Sequence, residues 1–322
     1  MFIIKYKNFF FALSGLLTFA ALASMLIFHP WNYGIEFTGG SILEVGYPDG
    51  RPPVDPLKAK LADLNWTGTV VQATGNDAYT IRTKPLSEPE RQTLIGVVSE
   101  QGTIKIDERR FNSIGPTIGA ELRTKSTWAI LCVIFAIVLY IAFAFRHVSQ
   151  PISSWIYGLV AVVALVHDVI IPAGVYIALG HFFPSIQIDV LFVTAILTIL
   201  GFSVHDTIVV FDRTRENLKL RTWKEFDVTV GHSVAQTFVR SINTSLTVLL
   251  VILALFFFGG ETTKNFALTL AIGITTGTYS SIFLASPLLV VIAEWQQNRE
   301  TKAQQAHRNR SEERRVGKEC RL

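Results

Sequence analysis

The chain has 322 residues, of which 50% are hydrophobic and only 17% charged, against about 25% charged in ordinary globular domains. Its formal net charge of +4 does not indicate a nucleic-acid partner, because the basic residues sit in loops and a tail beside apolar runs, the pattern of membrane topology. The two cysteines, Cys132 in an apolar run and Cys320 in the tail, cannot staple a fold and match no zinc spacing, so neither a metal nor a cofactor is expected.

A helix that crosses a bilayer needs about 20 mostly apolar residues. Six segments reach or approach that length: 9–28, 127–145, 152–179, 190–211, 242–258 and 266–293. The first follows Lys5 and Lys7 as a secretory signal would. Its apolar run exceeds a usual signal core, so it is read as an uncleaved anchor, with residues 1–28 forming the N-terminus and first span.

Residues 29–125 read as a folded domain on one side of the membrane. The alternation at 41–47 predicts a strand, and the spacing at 55–64 a helix. Strands at 69–73 and 79–83 flank the turn residues Gly75, Asn76 and Asp77. Ser87-Glu88-Pro89-Glu90 fits a capping box that opens a helix running to about Gln101. A last strand is expected at 103–108. The order β-α-β-β-α-β predicts a small ferredoxin-like α+β domain. Residues 126–295 then supply the other five spans. The polar, charged tail 296–322 is expected to be disordered.

Lysine and arginine placement sets the orientation. A cytoplasmic N-terminus puts Lys5, Lys7, Arg146, Arg213, Arg215, Lys219, Arg221, Lys224, Arg240 and the basic tail inside. The short outer loops then carry only Lys264, and the long loop translocates largely regardless of its charge. Both termini are expected in the cytoplasm, with 29–125 outside.

Charged groups at membrane depth cost roughly 2.5–3.5 kcal/mol or more, so an intramembrane carboxylate is a functional candidate. Asp168 lies in the third span, before Pro172. Asp206 lies in the fourth, among Ser203, His205 and Thr207. The plain alternative for both is a structural carboxylate hydrogen-bonded inside the bundle. Arg240 precedes Asn243, Thr244, Ser245 and Thr247 where the fifth span enters the membrane. A guanidinium does not deprotonate, so Arg240 is either a fixed counter-charge to a titrating carboxylate or a snorkelling interfacial residue. The polar run after it is expected to face the bundle, where it adds interhelical hydrogen bonds. After the first span comes Gly34-Ile-Glu36-Phe-Thr-Gly39-Gly40, a glycine-rich stretch that suits positive φ and close backbone approach. It is expected to act as a hinge.

GIEFTGG after the first span, FNSIGPTIGAEL before the second, GFSVHDTIVVFDRTREN at the fourth and RSINTSLTVLL at the fifth resemble the SecD/SecF family of protein-export membrane proteins, on its SecF side. The resemblance covers about residues 1–300. It implies half of a resistance-nodulation-division type bundle, a SecD partner, the SecYEG translocon and unfolded preproteins as further partners, and use of protonmotive force to promote preprotein translocation across the cell (inner) membrane. Carried over, Asp206 falls on the family's intramembrane aspartate, Arg240 on the arginine before Asn-Thr-Ser, and Asp168 on the His-Asp of the third span. Glu36 stands where aspartate is usual, and His205 where asparagine is usual. That histidine can itself titrate, so the proton relay is expected to comprise Asp206, Arg240, Asp168 and His205. The last twelve residues, SEERRVGKECRL, match no part of the family and are expected to be non-native.

Rival readings are a non-conducting scaffold subunit of the translocon, a small-molecule or lipid exporter of the same superfamily, and an intramembrane aspartyl protease. The protease motifs are missing, since both aspartates follow histidine and Gly201 lies too far ahead of Asp206. No phosphate-binding loop is present. The chain is expected not to be an enzyme.

Overall fold

The computed structural model describes residues 2–319 apart from 67, 145–151, 222 and 224. Arg146, Lys224 and Cys320, which entered the charge and cysteine readings, lie outside the described residues. The chain opens with one helical turn, α1 (Phe2–Lys5), followed by α2 (Lys7–Ile27). A short α3 (Ile35–Thr38) leads into β1 (Gly40–Gly46), α4 (Val54–Ala62), β2 (Val70–Thr74), β3 (Ala78–Thr83), α5 (Glu88–Val98) and β4 (Asp107–Ile114). Long helices follow: α6 (Pro116–Ala144), α7 (Ser154–Phe182), α8 (Val190–Lys219), α9 (Phe226–Phe258) and α10 (Glu261–Ser280). A π turn, Ser281–Ala285, carries α10 into α11 (Ser286–Glu319).

Among the described residues, six helices are long and apolar enough to cross a membrane: Lys7–Ile27, Pro116–Ala144, Trp155–Phe182, Val190–Lys219, Phe226–Phe258 and Thr263–Arg299. All six expected spans are therefore present, and several overrun their apolar windows. A helix does not stop where its apolar face does, because backbone bonds continue while a polar face still packs. The leading half of α9 buries Thr229, Val230, Ser233, Val234 and Thr237. Asn217 of α8 donates to Ser233 Oγ (2.8 Å) and to Gln236 Oε1 (3.0 Å).

The chain divides into two compact units. One comprises Met25–Cys132 and Tyr176–Thr194. Its sheet has the order β2-β3-β1-β4 with every neighbouring pair antiparallel, the ferredoxin-like arrangement expected. Strand alternation turns Leu43, Val45 and Ile81 onto one face, where Leu57, Leu61, Leu94 and Val98 of the two helices cover them. Full burial of such a side chain contributes about 1.5–3 kcal/mol. The Tyr47 hydroxyl donates to the Val98 carbonyl (3.3 Å), and burial pushes its pKa up to about 12.

Two expectations need correction. The last strand lies not at 103–108 but at Asp107–Ile114, ending inside the motif that precedes the second span. Gln101 and Gly102 take positive φ (56° and 89°), which keeps the chain turning. The charged Asp107, Glu108, Arg109 and Arg110 hide the strand's period because β4 is an edge strand with exposed positions. The tail after 296, expected to be disordered, continues as helix α11 to Glu319. Its Ala, Gln, Glu, Lys and Arg content has high intrinsic helix propensity, which the low hydrophobicity obscured.

The second unit comprises Met1–Ser24, Val133–Val175 and Ala195–Leu322. Its core joins Tyr157, Val160, Ala164 and Leu165 of α7, Leu200 and Phe211 of α8, Val230 and Val234 of α9, and Leu289 and Val290 of α11.

Candidate functional site

Asp168 and Asp206 are both buried, at 0% and 2% exposure. Each lies on the inward face of its helix, so each carboxylate must find partners inside the bundle. Asp168 Oδ2 accepts hydrogen bonds from Ser203 of α8 and from Ser280 of α10 (2.6 Å), while Oδ1 stands 2.8 Å from His167 Nδ1. Asp206 Oδ2 accepts a long bond from Ser245 of α9 (3.4 Å). Ser245 Oγ in turn lies 2.6 Å from Thr278 Oγ1. Thr207 Oγ1 and Ser281 Oγ are 3.0 Å apart.

Three sets of hydroxyl contacts thus link four helices around two carboxylates. The spacing of Ser203, Asp206 and Thr207 places all three on one face of α8. Gly277 allows the close helix approach this needs, since a Cβ there would meet Ser203 Cβ at 3.0 Å.

His205 Nδ1 lies 3.7 Å from Asp206 Oδ1, with its side chain 59% exposed. The imidazole therefore connects a buried carboxylate with the outside of the bundle. Among the described residues, no lysine or arginine forms an ion pair with either aspartate, and the ionisable neighbours are His167 and His205. His167 Nε2 and Ser241 Oγ are buried without a protein partner there. No group of three or more His, Cys, Asp or Glu among the described residues is placed to hold a metal ion.

Arg240 is exposed and forms no ion pair with Asp206 among the described residues. Nor does the polar run beyond it face inward as a block. Ser241 and Ser245 are buried, whereas Asn243 and Thr247 are exposed and Thr244 returns its hydroxyl to the Arg240 carbonyl (2.9 Å). The reason is helical geometry: at about 100° per residue, only positions three or four apart share a face. Reading the sequence by motif missed the part played by the sixth span. Its signal was the polar run Thr275-Thr-Gly277-Thr278-Tyr-Ser280-Ser281 inside an apolar helix.

The glycine-rich stretch belongs to the other unit. Gly34 N–H donates to the Ile188 carbonyl (2.8 Å). Gly40 has φ 135°, and a Cβ on it would meet the Thr83 carbonyl oxygen at 2.8 Å. Gly34 is thus tied to the segment before α8, and Gly40 leaves no room for a side chain. Glu36 is half-buried. Burial raises the Asp189 carboxyl above the usual carboxylate range and the Glu36 charge adds to this, against the bond from Phe192 N–H (2.7 Å).

Residues 95–295 match the family described as protein export membrane protein SecD/SecF, C-terminal. The protein translocase subunit SecF of Thermobaculum terrenum is 41% identical over 300 residues, covering 89% of this chain and 92% of the relative. SecF of Pseudomonas aeruginosa is 33% identical over 288 residues, covering 88% and 89%. The SecDF subunit of Thermus thermophilus is 37% identical over 90% of this chain, which spans 38% of that longer protein. The crystal structure of Thermus SecDF, a translocon-associated membrane protein, superposes with a TM-score of 0.77 at 33% identity, covering 91% of this chain and 38% of that one.

Proposed function

The chain belongs to the SecD/SecF family of protein-export membrane proteins, and from that membership we propose that it uses protonmotive force to promote preprotein translocation, through protonation and release at Asp206. The observation that carries this reading is a pair of buried carboxylates held by hydroxyls rather than by lysine or arginine. A carboxylate locked to a guanidinium keeps its charge. One satisfied by hydroxyls can accept a proton without leaving a buried cation behind.

In this mechanism His205 passes protons between the exposed side of α8 and Asp206. Arg240, on the same helix as Ser245, opposes protonation when it swings toward Asp206. Each charge that crosses the full potential supplies about 2.3 kcal/mol per 100 mV, so a few protons suffice for a large domain motion. The chain performs no bond chemistry of its own. It works beside a SecD subunit, fused in the SecDF relatives, at the SecYEG translocon on unfolded preproteins. The inner membrane is its site, with both termini cytoplasmic and the α+β domain outside.

Asp206→Asn tests this reading. It keeps the shape and removes the titration, so proton-stimulated export in membrane vesicles should fall to the unstimulated level, with insertion and SecD association intact. Stimulation unchanged in Asp206→Asn would return the chain to the scaffold reading.

A further inference from the structure

The sixth span interrupts its α-helical ladder at the π turn Ser281–Ala285, at the end of its polar run. A π turn carries one residue more than the α-helix around it, is rare, and occurs frequently at functional sites. It persists only where its neighbours over-determine it. Here Ser286 Oγ donates to the Ser281 carbonyl (2.9 Å), closing the widened turn from inside. Ser280, Ser281 and Ser286 are all fully buried. Just ahead of the turn, Ser280 is tied to Asp168 (2.6 Å), and Ser203 donates to the same carboxylate oxygen. Ser281 itself meets Thr207.

We propose that Asp168 is a positioning residue: by gathering Ser203 and Ser280 on one oxygen it holds the π turn in register, and so sets Thr278 against Ser245 at Asp206. The functional consequence rests on the proton-driven reading, whereas the register itself does not. Returning the π turn to regular α-helix would rotate one side of it against the other by about 100° and shift it by about 1.5 Å. Thr278 sits within a turn of Ser280, so such a rotation would carry it away from Ser245. The groups facing Asp168 are His167, Ser203 and Ser280. Two of the three are hydroxyl donors, which is the equipment of a clamp.

The test uses the full chain in its membrane, with Cys132 and Cys320 replaced by serine and the pair Ser245→Cys and Thr278→Cys introduced. A short bifunctional thiol reagent should crosslink this pair efficiently. Asp168→Ala and Ser280→Ala should each lower the yield about tenfold, the scale of one lost charge-assisted hydrogen bond. Asp168→Asn retains an acceptor oxygen and should recover most of the crosslinking. With the serine and threonine restored, it should also recover most of the proton-stimulated export lost in Asp168→Ala. If Asp168→Ala does not accumulate, Ser280→Ala carries the crosslinking test alone, because it deletes a single hydroxyl. Undiminished crosslinking in Ser280→Ala would overturn the proposal. So would an Asp168→Asn chain that crosslinks normally yet exports no better than Asp168→Ala, since Asp168 would then act by titrating. Crosslinking needs no export, so its outcome stands apart from that of Asp206→Asn.

Discussion

The surface of the α+β domain and the buried interior of the helical bundle treat acidic side chains in opposite ways. In the domain, carboxylates are matched with cations at the surface. Arg91 binds Glu108 through both oxygens (2.7 and 2.8 Å) and Glu88 through one (2.8 Å), Lys60 reaches Glu100 (2.8 Å), and Lys84 and Arg109 pair with Glu90 and Asp77. In the bundle, Asp168 and Asp206 meet serines and histidines instead. Surface pairs contribute little to stability, and a carboxylate inside a membrane bundle costs stability. The first group should add little to the fold, whereas the second must be offset by the hydroxyls around it.

The contrast can be broken from the domain side. If its pairs are accessory, its stability must lie in the apolar layer, and the largest loss should follow from cutting that layer. Leu94 is 1% exposed against the sheet, and Leu94→Ala should destabilise the domain by about 2–5 kcal/mol. Denaturant unfolding followed by Trp66 fluorescence measures this. A loss no larger than that of a surface pair would mean the charges hold the domain after all.

A smaller effect is expected at Arg91. Its guanidinium binds two glutamates and lies 5.0 Å from the centre of the Phe111 ring. Arg91→Ala should lower the melting temperature by less than Leu94→Ala does. Most of the difference should vanish in high salt, because exposed charges are screened. A deficit independent of salt would assign the residue's contribution to packing on Phe111.

How much of this was legible beforehand follows the same division. Spans and domain topology were readable because each rests on a period: about 20 apolar residues for a span, alternation for the inner strands. The period failed at β4, where an edge strand carries charges on exposed positions, and in α11, where propensity without hydrophobicity builds the helix. Asp168 and Asp206 were readable because a charge in an apolar run stands out. Their partners were not. Ser203 lies beside Asp206 in sequence but binds Asp168, and Thr278 and Ser280 come from a helix that bears no charge at that depth. Which hydroxyl serves which carboxylate depends on helix rotation and on a π turn, and neither has a sequence period. The expected Asp206–Arg240 pairing shows the same limit. Arg240 and Ser245 share a motif, yet Ser245 reaches the carboxylate and Arg240 does not.

The smallest effect, and the sharpest contrast with the bundle, concerns Glu90. It accepts from Ser87 N–H (2.8 Å) and Ser87 Oγ (2.7 Å) at the head of α5 and pairs with Lys84. Lys84 first, then Ser87, holds its pKa down at about 2, against about 4.3 for an unperturbed glutamate. The folded value lies below the unfolded one. The contribution is therefore complete above pH of about 4.3 and is lost as pH falls through about 2. Glu90 is half-buried and caps only the first turn of α5, so the loss should be local fraying of that turn rather than unfolding. Hydrogen exchange across α5, corrected for the intrinsic pH dependence, should show its leading amides losing protection between about pH 4 and 2. Glu90→Gln should remove that pH dependence and leave protection lower throughout. An acid profile identical in Glu90→Gln would show that the cap draws nothing from the charge. The domain's carboxylates would then be as indifferent to cations as those of the bundle.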